Sequence, residues 1–316
     1  FSGAAAFMFL CEKASIVVYC LLERKRCAME LEGVSLVLEG GGMRGLFTAG
    51  VLDVFLEQNL LFQHVIGVSA GACHACSYLS RQKGRALAIS VDYLHDKHYM
   101  GLYSLLTSGD LFNVRYAYER IPLQLNPYNY DAFLQASPDF CAVVTNCRTG
   151  QAEYPTLKDL RKDLVWVRAS ASLPYVSRLV RIGGQPYLDG GLCDSIPLEH
   201  MRQRGFAKNV VVLTRHAGYR KSASSGESMA ALRYALRPGL VAALRRRPAM
   251  YNAQLDYVRQ QEAEGHAFVL RPPEPLAIER IEKDRSKLLA AYEAGRQETL
   301  RRLPDLLAYL QADPSK

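Results

Sequence analysis

The sequence predicts an α/β fold in which a mostly parallel sheet carries helices on both of its faces. Apolar runs of strand length alternate with segments whose apolar residues recur at helical spacing, an order typical of parallel sheets covered by helices. The run Asn209-Val-Val-Val-Leu-Thr214 has four apolar residues in succession, as in a strand buried on both faces. A third observation is that glycine-rich turns follow three of the predicted strands, where α/β proteins place their functional groups.

The elements are predicted from apolar periodicity and from glycine and proline at their ends. Strands are expected at residues 34–38, 65–68, 140–145, 185–189, 209–214 and 268–270. Helices are expected at residues 46–58, 70–79 and 164–172, and terminal helices at 278–310. The stretch 85–121 is predicted to be mainly helical with a polar turn at 107–110.

Three regions are distinguished along the 316 residues. Residues 1–28 are interpreted as a non-native or disordered leader, because their apolar run is too short to span a bilayer and Met29 precedes the first folded segment. Residues 29–215 form the predicted catalytic domain. Residues 216–316 form a mainly helical C-terminal extension, whose basic part could cap the site. Its run Arg245-Arg-Arg-Pro248 is interpreted as a solvated helix face rather than a lipid contact.

Composition narrows the class of protein. The formal net charge is +8, which suits contact with an anionic membrane surface as well as with nucleic acid. No aromatic-basic RNA motif, zinc finger or zipper accompanies the charge, so nucleic acid is not expected as a partner. Of the eight cysteines, Cys73 and Cys76 have C-x-x-C spacing without a second pair. They are interpreted as reduced core residues of a cytoplasmic protein, and no metal or cofactor is expected.

The segment His64-Val-Ile-Gly-Val-Ser69-Ala-Gly71 has the spacing of a nucleophile elbow, G-x-S-x-G between a strand and a helix. A serine in so tight a turn needs neighbours without bulky side chains, so that its hydroxyl is exposed. The free N–H groups of the following helix then favour negative charge beside it. A glycine-rich turn that only packs closely, and has no catalytic serine, would have the same pattern.

A glycine-rich loop follows the first long strand. Gly40, Gly42 and Gly45 fit G-x-G-x-x-G, the dinucleotide-binding pattern, but the next strand ends at Ser69 and not in the acidic residue that holds a ribose. The loop is therefore better interpreted as a cradle for one small anion, with Arg44 adding positive charge.

The residues alone leave two candidates for the base that would activate Ser69, a carboxylate and a histidine. Asp189 precedes Gly190-Gly191 at a strand end and could approach the serine directly. The order Ser69, Asp189, His216 would also fit a conventional triad. His64 and His74 flank the elbow and are interpreted as structural.

Together, G-G-G-M-R-G, then G-V-S-A-G about 25 residues later, then D-G-G, resemble the patatin-like phospholipase family, in its bacterial esterase branch. The similarity extends over residues 34–310. It implies a three-layer patatin-like fold, with Ser69 as nucleophile and Asp189 as base in a dyad without histidine. It also implies Gly41, Gly42 and Met43 as oxyanion donors and Arg44 at the basic position of the loop.

The sequence thus predicts a serine hydrolase of lipid or lysophospholipid acyl esters, cytoplasmic or peripheral at the membrane. Two alternatives remain open: a Ser-His-Asp esterase that uses His216, and a non-catalytic module that binds phospholipid or nucleotide.

Overall fold

A computed structural model of the protein describes residues 29–222 and 232–312. The predicted leader at residues 1–28 lies outside the described residues, as do residues 223–231 and 313–316 of the C-terminal extension. The strands are β1 Met29–Glu30, β2 Val34–Leu38, β3 Leu60–Leu61, β4 His64–Val68, β5 Asp139–Asn146, β6 Gln151–Glu153, β7 Thr156–Leu157, β8 Val180–Ile182, β9 Gln185–Asp189, β10 Lys208–Val212 and β11 Ala267–Leu270.

The helices are α1 Leu46–Glu57, α2 Ala70–Leu79, α3 Arg85–Asp92, α4 Leu102–Ser108, α5 Tyr130–Ala136, α6 Leu160–Ser170, α7 Leu198–Gln203, α8 Pro238–Ala263 and α9 Arg285–Gln311. Short 3-10 turns cover Gly42–Gly45 and Gly190–Leu192, and a π-helical segment covers Tyr116–Leu125. The region predicted as mainly helical between 85 and 121 is therefore divided into separate pieces.

The central sheet has the strand order β11-β10-β2-β4-β5-β9-β8. Its members from β11 to β5 are parallel, whereas β9, β8 and the short strands β6 and β7 run antiparallel to their neighbours. The mostly parallel α/β sheet is thus confirmed. The C-terminal region is not purely helical, because β11 extends this sheet beside β10.

Helices cover both faces of the sheet, which confirms the three layers. Successive residues of β2 point to opposite sides: Leu36 packs with α1, α2 and α9, while Val37 packs with α7 and α8. Such double burial accounts for the continuously apolar strands. Helix α9 approaches α1 closely enough that a side chain at Gly295 would lie 2.0 Å from the Phe47 carbonyl oxygen. The C-terminal region is therefore part of the packed core.

Local capping explains where two helices begin. The Asp159 side chain accepts a hydrogen bond from the Arg161 N–H, so α6 begins four residues before its predicted start at Leu164. Asp284 caps α9 in the same way, and the single helix replaces the predicted terminal helices from residue 278. No helix in residues 29–222 and 232–312 combines the length and the apolar character needed to cross a bilayer.

Candidate active site

Ser69 occupies a strained turn between β4 and α2. Its backbone has φ +54° and ψ −120°, a conformation that side-chain-bearing residues rarely adopt. The Ser69 N–H donates to the Ser170 hydroxyl at 2.9 Å. The flanking glycines are sterically required, because a Cβ at Gly71 would lie 2.6 Å from the Leu38 carbonyl oxygen and one at Gly67 would lie 2.7 Å from the Ala72 nitrogen. The predicted elbow geometry is present.

Asp189 lies at the same edge of the sheet as Ser69, but the strand that leads to it runs in the direction opposite to β4. Val143 of β5 pairs with Val68 at the end of β4, and β5 continues past this point to Asn146. The antiparallel β9 pairs with this overhang and ends with Asp189 opposite Val144. The sequence predicted the correct edge of the sheet for Asp189 but not the strand reversal that brings it there.

The Asp189 carboxylate is buried beside the serine. It accepts a hydrogen bond from the Gly191 N–H at 2.7 Å, and the Ser69 hydroxyl is a further hydrogen-bond donor to it. Burial raises the pKa of Asp189, while the positive charges of Arg247 and Arg280 and the two hydrogen bonds act in the opposite direction. The Ser69 hydroxyl and the Asp189 carboxylate are therefore in contact within one cavity.

The glycine-rich loop lies beside Ser69, since a Cβ at Gly40 would be 3.0 Å from the Ser69 Cβ. Gly42 has φ +58°, and a Cβ there would lie 2.5 Å from the Arg280 carbonyl oxygen. Gly40, Gly41 and Gly42 line the cavity that contains Ser69. Met43 does not line it, and its N–H donates to the Arg280 carbonyl at 3.0 Å. That amide is therefore engaged, which leaves Gly41 and Gly42 as the better placed of the predicted donors.

Arg44 lies beneath the loop and is 8% exposed. Burial, together with the charges of Arg215 and Arg280, lowers the pKa of Arg44 to about 10. Within the described residues its Nε has no hydrogen-bond partner. Arg44 thus remains charged at neutral pH and retains unused hydrogen-bonding capacity.

Glu39 is a residue whose role the sequence analysis did not identify. It follows β2 directly and is buried, and burial raises its pKa. One carboxylate oxygen accepts from the backbone and hydroxyl of Thr214, and the other accepts from the Tyr251 hydroxyl at 2.6 Å. Glu39 therefore ties the glycine loop to the end of β10 and to α8. Its position at the carboxyl end of a buried strand was the signal that could have found it.

Arg247 contradicts the interpretation of the 245–248 run as a solvated face. Arg245 and Arg246 are exposed, but Arg247 turns inward, and its Nε donates to the Gly191 carbonyl at 2.7 Å. It also lines the cavity with Asp189. The sequence of the run shows that residue 247 is positively charged. It does not show that the side chain points inward, because this direction depends on how α8 packs.

The three histidines considered from sequence do not join the pair. His216 lines neither cavity described here, and its Nδ1 accepts from the Gly218 N–H at 3.2 Å. His64 pairs with Asp139 at the other end of β4. His74 is buried on α2, and burial lowers its pKa to about 4, so its ring is neutral at pH 7. The geometry gives no support to a triad through His216.

Two cavities meet at Ser69. The first is polar, about 30 Å³, and contains the glycine loop, Asp189 and several basic side chains. The second has a volume of about 170 Å³ and a largely apolar lining that includes Tyr99, Phe112 and Val167. Ser69, Gly42, Leu173 and Arg280 border both. Such an arrangement suits an amphiphilic molecule whose polar and apolar parts join at the serine.

Cys73 and Cys76 are free thiols on α2. Cys76 is buried in the core, and Cys73 lines the apolar cavity, where burial raises its pKa to about 11. Among the described residues no cluster of histidine, cysteine, aspartate and glutamate has the composition of a metal site.

Two family models match the chain. Residues 36–202 match the model described as patatin-like phospholipase, and residues 237–311 match a domain of unknown function, DUF6363. The chain is 31% identical over 185 residues to the uncharacterized protein YjjU of Escherichia coli (strain K12), a match that spans 57% of this chain and 51% of that protein. It thus spans about half the length of this relative.

A solved structure, VipD from Legionella pneumophila, overlaps with 86% of this chain and 67% of its own. The TM-score is 0.41 and the sequence identity 14%.

Proposed function

The chain belongs to the patatin-like phospholipase family, and from this premise we propose that it is a serine hydrolase of phospholipid or lysophospholipid acyl esters. The observation that carries the proposal is the meeting of two cavities at one strained serine, which is also in contact with a buried carboxylate. An acyl chain would occupy the apolar cavity, and its ester carbonyl would lie at Ser69.

In the proposed reaction Asp189 accepts the hydroxyl proton of Ser69 while Oγ bonds to the carbonyl carbon. The N–H groups of Gly41 and Gly42 stabilise the oxyanion, and Arg44 adds positive charge nearby. The tetrahedral intermediate expels the alcohol, which takes up the proton from Asp189. Water then adds to the acyl-serine and gives a proton to Asp189. The bond between Oγ and the acyl carbon breaks, Oγ takes the proton back from Asp189, and the fatty acid leaves.

The surface around the apolar cavity supports contact with a lipid layer. Helix α4 exposes Leu102 and Leu106, by 69% and 77% of their areas, shortly before Phe112 of the cavity lining. We propose that this face meets the membrane surface. Replacing both leucines with serine should lower the rate on vesicles relative to the rate on a soluble short-chain ester. Leu300→Ser, at an exposed leucine of α9, is the matched control.

The proposal is tested by covalent labelling with a fluorophosphonate probe, read by intact mass. Wild type should label once. Ser69→Ala should abolish the label, and Asp189→Asn should slow labelling strongly. Ser137→Ala is the control, because Ser137 shares the positive φ of Ser69, at +41°, and its exposed hydroxyl is open to the probe but has no buried carboxylate beside it in the described part of the chain.

Three results would contradict the proposal. An unlabelled wild type would favour the binding module over the enzyme. A label that persists in Ser69→Ala would place the reactive group elsewhere. Loss of ester hydrolysis in His216→Ala would favour the triad over the dyad.

A further inference from the structure

The polar cavity carries far more positive than negative charge. Its cationic lining consists of Arg44, Arg215, Lys221, Arg247 and Arg280, against the carboxylates of Glu39 and Asp189. Both carboxylates are already engaged, Glu39 by Thr214 and Tyr251 and Asp189 by Gly191 and Ser69. Most of the positive charge is therefore uncompensated by those groups of the cavity that the structure describes.

The crowding of these cations disfavours their charged forms. Burial, together with the charges of Arg247, Arg280 and Arg215, lowers the pKa of Lys221 to about 7. In the described part of the chain, Nε of Arg44 has no hydrogen-bond partner although it is buried. Like charges held together in a concave site are typical of a binding site for an anion.

The surroundings hold these side chains in place. The Arg215 guanidinium lies 4.2 Å above the Tyr219 ring, and the Lys221 ammonium lies 5.3 Å from the centre of the Tyr251 ring. Cation–π contacts of this kind orient a positive group without neutralising it. The cavity is therefore pre-organised and still positively charged.

Ser69 and Arg280 border both cavities, so the anion site begins where the apolar cavity ends. In an acyl ester whose chain fills the apolar cavity, the alcohol portion points toward the arginines. The polar cavity is small, about 30 Å³, which favours a compact anionic group close to the ester bond.

We propose that the cavity lined by Arg44, Arg215, Lys221, Arg247 and Arg280 binds a phosphate group carried by the alcohol portion of the substrate. The substrate class is then an acyl ester of glycerol phosphate. This inference rests on the proposed hydrolase function and specifies which ester the same site selects.

The residues of this phosphate site come mostly from outside the patatin-like match. Arg247 and Arg280 lie within residues 237–311, the domain of unknown function, and Arg215 and Lys221 lie between the two matched ranges. In this proposal the C-terminal region selects the head group of the substrate.

The first experiment compares kcat/KM for octanoyl lysophosphatidate and for octanoyl glycerol, below their micelle-forming concentrations. Wild type should prefer the phosphate-bearing ester by at least about tenfold. Arg215→Gln and Arg280→Gln should each lower kcat/KM for lysophosphatidate by about tenfold to a hundredfold, the usual range for a lost charged hydrogen bond. The loss on octanoyl glycerol should be smaller.

Arg245→Gln is the matched control, because Arg245 lies on the same helix as Arg247 but is exposed and lines neither cavity. It should retain the wild-type preference. Equal rates on the two esters in wild type would overturn the inference. So would an equal loss in Arg245→Gln, since the effect would then be general electrostatic attraction.

Calorimetry with Ser69→Ala separates substrate phosphate from free phosphate. Octanoyl lysophosphatidate should bind at least about tenfold more tightly than inorganic phosphate, and a second change, Arg280→Gln, should weaken both. If inorganic phosphate binds as tightly as the lipid, the anion is free phosphate and the substrate assignment is wrong.

Failure of this inference is distinguishable from failure of the proposed function. A wild type that labels at Ser69 but shows no phosphate preference refutes the phosphate site alone. A wild type that does not label refutes the hydrolase. The binding measurements on Ser69→Ala still decide the phosphate site in that case.

Discussion

Replacing Gly42 with alanine should lower the free energy of unfolding by more than the positive φ of residue 42 alone would cost. Gly42 has φ +58°, and the added Cβ would lie 2.5 Å from the Arg280 carbonyl oxygen. Gly33 offers a matched control, because its φ is +77° but nothing lies within 4 Å of the Cβ position. The two variants share the conformational strain and differ in the steric clash.

The conformational strain should cost each variant about 1–2 kcal/mol of unfolding free energy. At Gly42 the clash also displaces the Arg280 carbonyl and weakens its hydrogen bond to the Met43 N–H, a loss of about 1 kcal/mol. We therefore expect Gly42→Ala to be destabilised by about 2–3 kcal/mol and Gly33→Ala by about 1–2 kcal/mol, as measured by chemical denaturation.

Activity separates the two variants further. Moving an oxyanion donor commonly lowers kcat by a hundredfold to a thousandfold. Gly42→Ala should show a loss of this size on a soluble ester, whereas Gly33→Ala should hydrolyse it at the wild-type rate. A Gly42→Ala enzyme with wild-type kcat/KM would refute the assignment of the loop. Equal stability losses in the two variants would refute the steric argument.

Four further predictions concern the serine, its base, the phosphate site and metal dependence. Ser69→Gly should be about 1 kcal/mol more stable to denaturant than Ser69→Ala, because glycine relieves the strain of φ +54°; equal stabilities would contradict this. Asp189→Asn should lower kcat about a hundredfold or more. Burial raises the pKa of Asp189, and only the ionised carboxylate accepts a proton. In wild type, kcat/KM should therefore fall as pH drops through a value above the ordinary aspartate pKa of about 3.9; an acid limb at that ordinary value would be the contrary result. With lysophosphatidylglycerol, whose diester charge is constant, KM should rise as pH rises through about 7 and Lys221 loses its proton. Lys221→Gln should flatten that rise, and an unchanged slope would exclude Lys221. Activity should survive a chelator, and its loss would argue against a metal-free mechanism.

The elements around Ser69 could be predicted because their signals are local. The helix at 70–79 follows directly from its apolar spacing and from the strained turn before it, and the structure has it at Ala70–Leu79. The same holds for β2, whose apolar run and following glycines define both of its ends. Each of these signals lies within a few residues of the element that it predicts.

The direction of β9 could not be predicted, because it depends on the length of a strand more than forty residues earlier in the chain. Asp189 reaches Ser69 only because β5 extends to Asn146, beyond the end of β4. Nothing in the residues around 189 carries that information.

Apart from Arg44, which the glycine loop identifies, the basic residues of the polar cavity were missed for a related reason. Arg247 belongs to a run of arginines that reads as a solvated face, and its inward direction is fixed by the packing of α8. Arg280 falls within the terminal helices predicted from residue 278, but the structure has it in an irregular segment before α9. Tertiary packing selects such residues, so their identity alone does not reveal them.

The contribution of the C-terminal region to the cavity also has a consequence for the order of protein synthesis. A ribosome that has released residues up to Lys221 has already produced Ser69, Asp189 and the glycine loop. It has not yet produced Arg247, which binds the Gly191 carbonyl, or Arg280, whose carbonyl holds the Met43 N–H. Ser69, Asp189 and the glycine loop are therefore synthesised long before the residues that complete the cavity around them. A growing chain close to the cell's own lipids acquires its full cavity only when residues as far as Arg280 have been made.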